Sequence, residues 1–125
     1  NVSHVYSTDS SFAAISKEGT VVTWGHPESG GDCTAFQDQL RSGVSHIYST
    51  GCAFAAVKFD GSVVTWGHAA SGGDSSLVQD CLQGEITHIC GTTRAFAALK
   101  GDGTIVTWGH PASGGDSNFN LEQLD

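Results

Sequence analysis

A unit of 42 residues is repeated three times along this chain. The pentapeptide Val-Thr-Trp-Gly-His occurs at Val22–His26, Val64–His68 and Val106–His110. The blocks Phe-Ala-Ala and Ser-Gly-Gly-Asp recur with the same spacing. A period that holds across several separate blocks is the signature of a repeat architecture, in which neighbouring units bury each other's apolar faces. We therefore predict one domain, residues 1–125, made of three equivalent units. The repeats are 1–42, 43–84 and 85–125.

Each unit has the pattern of about three antiparallel strands followed by a short helical turn. An acidic-Gly pair separates two β-rich runs in every copy, as is expected of a hairpin. In the second repeat Ser75–Gln83 has apolar residues near helical spacing, with Asp74 or Ser75 available as an N-cap. A further β-rich run precedes each hairpin, at Val2–Thr8, Val44–Thr50 and Ile86–Thr92.

The hairpin turn decides which side chains share a face of the sheet. Glu18-Gly19 suits a two-residue type I′ turn. Pairing outward from this turn places Ala13 and Ile15 on the same face as Val22 and Trp24. That face is apolar in all three copies, so we expect it to form the core and to bury the three tryptophans. The opposite face is also partly apolar, and a sheet with two apolar faces needs cover on both sides.

These units predict an all-β fold with short helical turns. Three small sheets would pack against one another in a pseudo-threefold propeller- or prism-like arrangement. We expect the sheets to close around the axis, because an open arc leaves unpaired edges and apolar faces at both ends. The alternatives are an arc whose ends are covered by a partner, and a fragment of a longer array.

The stretch Phe54–Gly67, Phe-Ala-Ala-x-Lys-x-Asp-Gly-x-Val-Val-Thr-Trp-Gly, resembles the repeat of the regulator-of-chromosome-condensation family. The resemblance covers all three repeats and implies propeller-like blades and, most commonly, protein–protein binding. Some members of that family promote guanine-nucleotide exchange and others are parts of ubiquitin ligases, but no residue here matches a catalytic segment of either. This unit is also shorter than the family's usual blade, and three copies fall below the ~4–8 blades of ordinary propellers. Compact Thr-Trp-Gly repeats of this kind also resemble those in long proteins of microbial and photosynthetic eukaryotes.

The charge balance narrows the class of partner. The chain has 13 Asp and Glu against 5 Lys and Arg, a net charge of −8, which disfavours nucleic acid and anionic lipid surfaces. No apolar run approaches the ~20 residues that span a bilayer. We therefore expect a soluble chain whose contact with a membrane is peripheral or through a partner. We expect other protein subunits as partners, no nucleic acid and no cofactor.

All six histidines follow the repeat, which raises the question of a metal site. In a closed threefold arrangement, three equivalent imidazoles could meet at the axis and bind Zn²⁺ or a similar ion. Duplication of the unit also explains their recurrence, so we expect structural or surface roles and no bound metal. The two candidate sets are His4, His46 and His88, and His26, His68 and His110.

The remaining polar and aromatic motifs have structural explanations as well. Asp32, Asp74 and Asp116 end the Ser-Gly-Gly-Asp blocks, where a single carboxylate suits the cap of a turn and lacks the further oxygens of a Ca²⁺ site. The three tryptophans could line a sugar site, but their apolar face favours the core. The four cysteines do not follow the repeat and have no Cys-x-x-Cys spacing, so we expect free, mostly buried thiols.

The sequence has no nucleophile elbow or other catalytic constellation, so we predict that the protein is not an enzyme. We predict a protein-binding or scaffolding module, a small peripheral accessory subunit of a larger assembly such as an organellar or photosynthetic membrane complex. The alternatives are a threefold carbohydrate- or metal-binding module, and a regulatory repeat fragment of a larger exchange factor or ubiquitin ligase. Positions that differ between the copies are the candidate partner contacts, namely Glu28, Arg41, Phe59, Arg94 and Phe119.

Overall fold

The computed structural model describes residues 2–82 and 85–110, without the side chain of Leu77. These residues form three separate antiparallel sheets, each with three strands in chain order. The predicted all-β fold is therefore confirmed, and each predicted first strand ends within one residue of the observed one. The strands are β1 (Val2–Ser7), β2 (Ser11–Ser16), β3 (Val21–Gly25), β4 (Val44–Ser49), β5 (Ala53–Lys58), β6 (Val63–Gly67), β7 (Ile86–Gly91), β8 (Ala95–Lys100) and β9 (Ile105–Gly109).

The hairpin turns differ from the predicted type. In the first repeat the N–H of Gly19 donates to the carbonyl of Ser16 (3.0 Å), and the N–H of Ser16 donates to the carbonyl of Thr20 (2.9 Å). The loop thus has three residues and ends on a glycine with a φ of +84°, as in hairpins where a left-handed residue follows a type I turn. One extra loop residue shifts the register by one and exchanges the two faces of the strand. The predicted face was therefore wrong, because Trp24 lies opposite Phe12.

Each sheet consequently has two faces of different composition. One, here called the leading face, carries a stacked phenylalanine and tryptophan together with an alanine and a valine. The other, here called the trailing face, carries an alanine and two aliphatic side chains. The leading faces are Phe12, Ala14, Val22 and Trp24; Phe54, Ala56, Val64 and Trp66; and Phe96, Ala98, Val106 and Trp108. The trailing faces are Ala13, Ile15 and Val21; Ala55, Val57 and Val63; and Ala97, Leu99 and Ile105.

The sheets pack head to tail, with the trailing face of one repeat against the leading face of the next. One buried cluster joins the trailing face of the first sheet and Leu40 to the leading face of the second. A second cluster joins the second sheet and Leu82 to the leading face of the third. The middle sheet is thus covered on both sides, as its two apolar faces require.

The Ser-Gly-Gly-Asp block, here called the glycine turn, lies over each of these two interfaces. The indole N–H of Trp66 donates to the carbonyl of Gly30 in the preceding repeat at 3.1 Å, and that of Trp108 donates to the carbonyl of Gly72 at 3.1 Å. Gly30 has a φ of +105°, and a Cβ at this position would lie 2.5 Å from the ring of Phe54. Glycine is needed here because the backbone adopts a left-handed conformation and rests directly on the aromatic pair of the next sheet.

The segment after each described glycine turn is helical, as predicted. In the second repeat a 3₁₀ turn covers Ser76–Val78, and the N–H of Leu82 then donates to the carbonyl of Val78 at 3.0 Å. The corresponding segment of the third repeat lies outside the described residues. None of the helical segments described is long and apolar enough to cross a membrane. The other segments are 3₁₀ turns at Pro27–Ser29, Thr34–Phe36 and Ala69–Ser71, and the helix α1 at Gln37–Leu40.

Both ends of the array expose an apolar face in the part of the chain that the structure describes. Trp24, on the leading face of the first sheet, is 47 % exposed, whereas Trp66 is 2 % exposed. Leu99, on the trailing face of the third sheet, is 43 % exposed. The expectation that all three tryptophans are buried is therefore wrong for Trp24. Within residues 2–82 and 85–110, these exposures favour the open arc over the closed ring that we expected.

Candidate functional site

The first strands of the three sheets lie side by side and carry a row of aromatic residues. β1 is next to β4, and β4 is next to β7. His46 stacks on Tyr48 with 6.2 Å between ring centroids, and His88 of the next sheet meets the same tyrosine edge-on at 5.7 Å. Partial burial raises the pKa of Tyr48. A tyrosine phenol is already protonated near neutral pH, so Tyr48 has a hydrogen-bond donor at this surface and the shift only extends that range towards alkaline pH.

A groove of about 440 Å³ opens between the second and third repeats beside this row. His46, Tyr48 and His88 line it from the strands, and Phe59 and Glu85 line it from the loops. Phe59 lies in the β5–β6 hairpin loop and is 79 % exposed, more than any other large apolar side chain described. Small-molecule sites are usually enclosed and mostly apolar. An open groove with aromatic rings and charged residues is better suited to a segment of another protein.

The structure does not gather the predicted partner contacts into one surface. Phe59 lines the groove, and Arg41 lies at the same, hairpin-loop end of the sheets, where its carbonyl accepts a hydrogen bond from the β2–β3 loop. The Arg41 side chain forms an exposed ion pair of 2.8 Å with an aspartate of its own helix. Glu28 and Arg94 are exposed at the opposite end. Phe119 lies outside the described residues.

The structure does not bring either set of equivalent histidines together. His4, His46 and His88 are exposed on three neighbouring strands, and the ring of Tyr48 lies between two of them. Within residues 2–82 and 85–110, no three His, Cys, Asp or Glu side chains are grouped so that they could hold a metal ion. The other set lies in turns at the opposite end of the sheets, where each backbone N–H donates to the carbonyl of the nearby strand connection. These residues are His26, His68 and His110.

The aspartates that end the described glycine turns fix the loop that follows. Asp32 accepts hydrogen bonds from the hydroxyl (2.6 Å) and the N–H (2.9 Å) of Thr34, and these bonds lower the pKa of the Asp32 carboxyl. Asp74 accepts the N–H of Ser76 at 2.9 Å, and its pKa is lowered for the same reason. The two carboxylates therefore cap a turn, as predicted, but not the 3₁₀ turns that follow, whose N-cap residues are Cys33 and Ser75 and which have no side-chain capping bond. Asp116 lies outside the described residues.

The tryptophans do not form a common sugar site, because two of the three are buried. Trp66 and Trp108 lie beneath glycine turns, with their N–H groups already bonded to backbone carbonyls. Trp24 is half-exposed and stacks on Phe12 with 5.5 Å between ring centroids. The carbohydrate alternative therefore loses the threefold aromatic site on which it was based.

All four cysteines are free thiols, as expected from the absence of repeat spacing. Cys33 is buried and Cys52 is partly buried, but Cys81 and Cys90 are exposed. The expectation of mostly buried thiols is therefore wrong for two of the four. Both exposed cysteines occupy positions where the other repeats have a polar residue or tyrosine, so burial at these positions was not required by the fold.

The fold has relatives among solved structures, although no family profile and no curated protein sequence matches the chain. Human WBSCR16 matches with a TM-score of 0.62 and 19% identity, over 87% of this chain and 33% of that protein. Prp20p from Saccharomyces cerevisiae matches with a TM-score of 0.63 and 19% identity, over 87% of this chain and 31% of that one. The CRINKLY WD40 ectodomain of the Arabidopsis thaliana receptor kinase ACR4 matches with a TM-score of 0.62 and 15% identity, over 86% and 38%.

At these identities the likeness is one of fold, and the chain spans about a third of the length of the structures that it matches. Both interfaces between the described sheets include residues from the stretch on which the resemblance to regulator-of-chromosome-condensation repeats was based, among them Phe54 and Trp66. Prp20 is itself yeast RCC1. The chain therefore has a propeller-like fold of the kind found in RCC1-type proteins, which confirms the resemblance seen in its repeats.

Proposed function

We propose that this chain is a non-enzymatic protein-binding and scaffolding module, and that it serves as a small peripheral accessory subunit of a larger assembly. The observation that carries the proposal is the open groove between the second and third repeats, with Phe59 exposed at its edge. An organellar or photosynthetic membrane complex is the setting that the type of repeat suggests.

The groove has the chemistry of a protein contact. Aromatic residues are enriched at interfaces because they bury a large apolar area with few rotatable bonds. Phe59 supplies such an area, and its backbone N–H donates to the carbonyl of Gly43 at 2.8 Å, which holds the loop in place. Because the loop is already fixed, a partner that covers Phe59 loses less conformational entropy on binding. Lys58 and Glu85 also line the groove and can set the orientation of a polar segment.

Proteins of similar fold support binding as the function. Prp20p has been characterised for its binding to Gsp1p and histones, and yeast RCC1 (Prp20) has been seen bound to Kap60. The chain has no counterpart of an exchange-factor or ligase segment, so protein binding is what we carry over from these structures. The net charge of −8 favours a partner whose contact surface is neutral or basic.

The proposal is tested by partner capture from the native source with the whole chain as bait. Phe59→Asp places a charge in the groove, and Val22→Asp places the same charge on an exposed strand position outside it. We expect the wild-type and Val22→Asp baits to retain the same protein in stoichiometric amount, with cross-links to the groove, and Phe59→Asp to retain at least about tenfold less. Equal retention by all three baits, or no retained protein, would contradict the proposal.

A further inference from the structure

We propose that the groove between the second and third repeats binds an arginine of the partner, with the guanidinium paired to Glu85 and an apolar neighbour of the arginine covering Phe59. The inference rests on the proposed function, because it names the kind of segment that this groove takes. The occupant is a basic segment of another protein in which an arginine stands beside an apolar residue.

Phe59 and Glu85 are positions at which the lining of the groove departs from the repeat. His46, by contrast, has a histidine at the same place in all three copies. The counterparts in the other copies are Lys17 and Gly101 for Phe59, and Asn1 and Gly43 for Glu85. The exposed ring and the carboxylate therefore belong to the junction of the second and third repeats. The junction of the first and second repeats has a lysine and a glycine at the same two positions.

Backbone hydrogen bonds hold both of these residues at the groove. The N–H of Phe59 donates to the carbonyl of Gly43 at 2.8 Å, and the N–H of Gly101 donates to the carbonyl of Glu85 at 2.9 Å. A Cβ added at Gly101 would lie 3.1 Å from the carboxyl carbon of Glu85, so the Glu85 side chain rests against the β8–β9 loop. The apolar anchor comes from one repeat and the charge from the next, and both are in place before a partner binds.

The carboxylate of Glu85 is the uncompensated charge of the groove. Lys58 is the lysine that lines it, and this residue lies in the same hairpin as Asp60. Hydrogen bonds from Ser62 lower the pKa of the Asp60 carboxyl, and the charge of Lys58 adds to that effect, so the Lys58 and Asp60 charges partly cancel. Among the described residues no cation lies within ion-pair distance of Glu85. A cation is therefore the charge that this groove favours.

The aromatic lining favours arginine over lysine. Tyr48 and His88 line the strand side of the groove together with Glu85. A guanidinium is planar, stacks on aromatic side chains and binds a carboxylate through two parallel hydrogen bonds, whereas an ammonium is a compact and strongly hydrated charge. Phe59 lies on the loop side and is 79 % exposed. The arginine thus meets Glu85 and the rings, and the residue beside it buries apolar area against Phe59.

The inference is tested by titrating the whole chain with short peptides and following its amide signals by nuclear magnetic resonance. The probe is Gly-Ser-Leu-Arg-Leu-Ser-Gly with both ends blocked, and its controls carry citrulline, which has the same shape without the charge, or lysine. We expect the arginine peptide to shift the signals of Phe59, Tyr48 and His88 and to bind at least about fivefold more tightly than either control.

Two variants locate the charge that the arginine reads. Glu85→Gln removes the carboxylate from the groove, and we expect it to weaken the arginine peptide at least about fivefold and to leave the citrulline peptide unchanged. Glu28→Gln removes the same charge from an exposed position at the opposite end of the sheets, so the affinity should stay within about twofold of wild type. Added salt should weaken the arginine peptide more than the citrulline peptide.

The inference is overturned by the absence of shifts at the groove, by equal affinity for the arginine peptide and either control, or by equal losses in Glu85→Gln and Glu28→Gln. If the peptides fail in this way and Phe59→Asp still loses the captured partner, the groove binds a protein without reading an arginine. Capture that does not depend on Phe59 contradicts the proposed function itself, so the two failures are distinguishable.

Discussion

Replacement of Trp66 by phenylalanine tests whether the glycine turn holds neighbouring repeats together. The indole of Trp66 is 2 % exposed, and its N–H donates to the carbonyl of Gly30 at 3.1 Å. A buried carbonyl that loses its donor costs about 1–3 kcal/mol, and the smaller ring leaves a cavity that adds on the order of 1 kcal/mol. We therefore expect Trp66→Phe to lower the free energy of unfolding by about 2–4 kcal/mol.

Trp24 is the matched control, because it stands in the same Val-Val-Thr-Trp-Gly sequence and stacks on an equivalent phenylalanine. It is 47 % exposed, so Trp24→Phe should lower the free energy of unfolding by less than about 1 kcal/mol. Trp108→Phe should behave like Trp66→Phe, since its N–H makes the equivalent bond to Gly72. The measurement is urea unfolding followed by far-ultraviolet circular dichroism. Equal costs for Trp24→Phe and Trp66→Phe would refute the role given to the glycine turn.

Two further predictions follow from the turns. Gly30→Ala should lower the free energy of unfolding by several kcal/mol in the same assay, because the backbone is left-handed and the new Cβ would overlap a buried ring. The control is Gly103→Ala, at a left-handed glycine whose Cβ would have nothing within 4 Å, and it should cost only about 1–2 kcal/mol. Equal costs for the two variants would argue against the overlap. Two hydrogen bonds lower the pKa of the Asp32 carboxyl in the folded chain. They therefore stabilise the fold at pH values above the pKa of this carboxyl in the unfolded chain, and this stabilisation is lost as the pH falls below about 4. Asp32→Asn cannot titrate, so the urea midpoint should fall less steeply between neutral and acid pH in this variant than in wild type, and an unchanged acid slope would show that the carboxylate is not responsible.

The repeat predicted the number of sheets, their strands and the helical segments of the first two repeats, but it did not predict correctly which side chains share a face of each sheet. The acidic-Gly pair of the hairpin fits a two-residue turn and a three-residue turn equally well, because both place the glycine at a left-handed position. A two-residue turn would place Trp24 on the same face as Ala13, whereas the observed three-residue turn places it on the same face as Phe12. Both faces are apolar in this chain, so the hydrophobic pattern did not decide between the two registers.

The functional surfaces were predictable only in part, because some of them arise from contacts between different sheets. Phe59 was identified because it differs from its counterparts, and the structure places it beside a groove. The aromatic row of His46, Tyr48 and His88 was not identified, since it arises from contact between first strands of different sheets. The regular recurrence of histidine and tyrosine two residues apart on β1 and β4 was the signal that could have found it.

The three tryptophans show why burial in a repeat protein cannot be assigned from the repeat alone. Trp24 and Trp66 have the same neighbours in sequence and the same stacked partner, yet one is half-exposed and the other is buried. The difference comes from whether a preceding repeat covers the sheet, which is a property of the place in the array. Stability in such a chain is a sum over repeats and over the contacts between neighbours. The three described sheets have two such contacts, and each of them buries a tryptophan. The same residue types are therefore core where a neighbouring sheet packs on them, as at Val64, and exposed where none does, as at Val22.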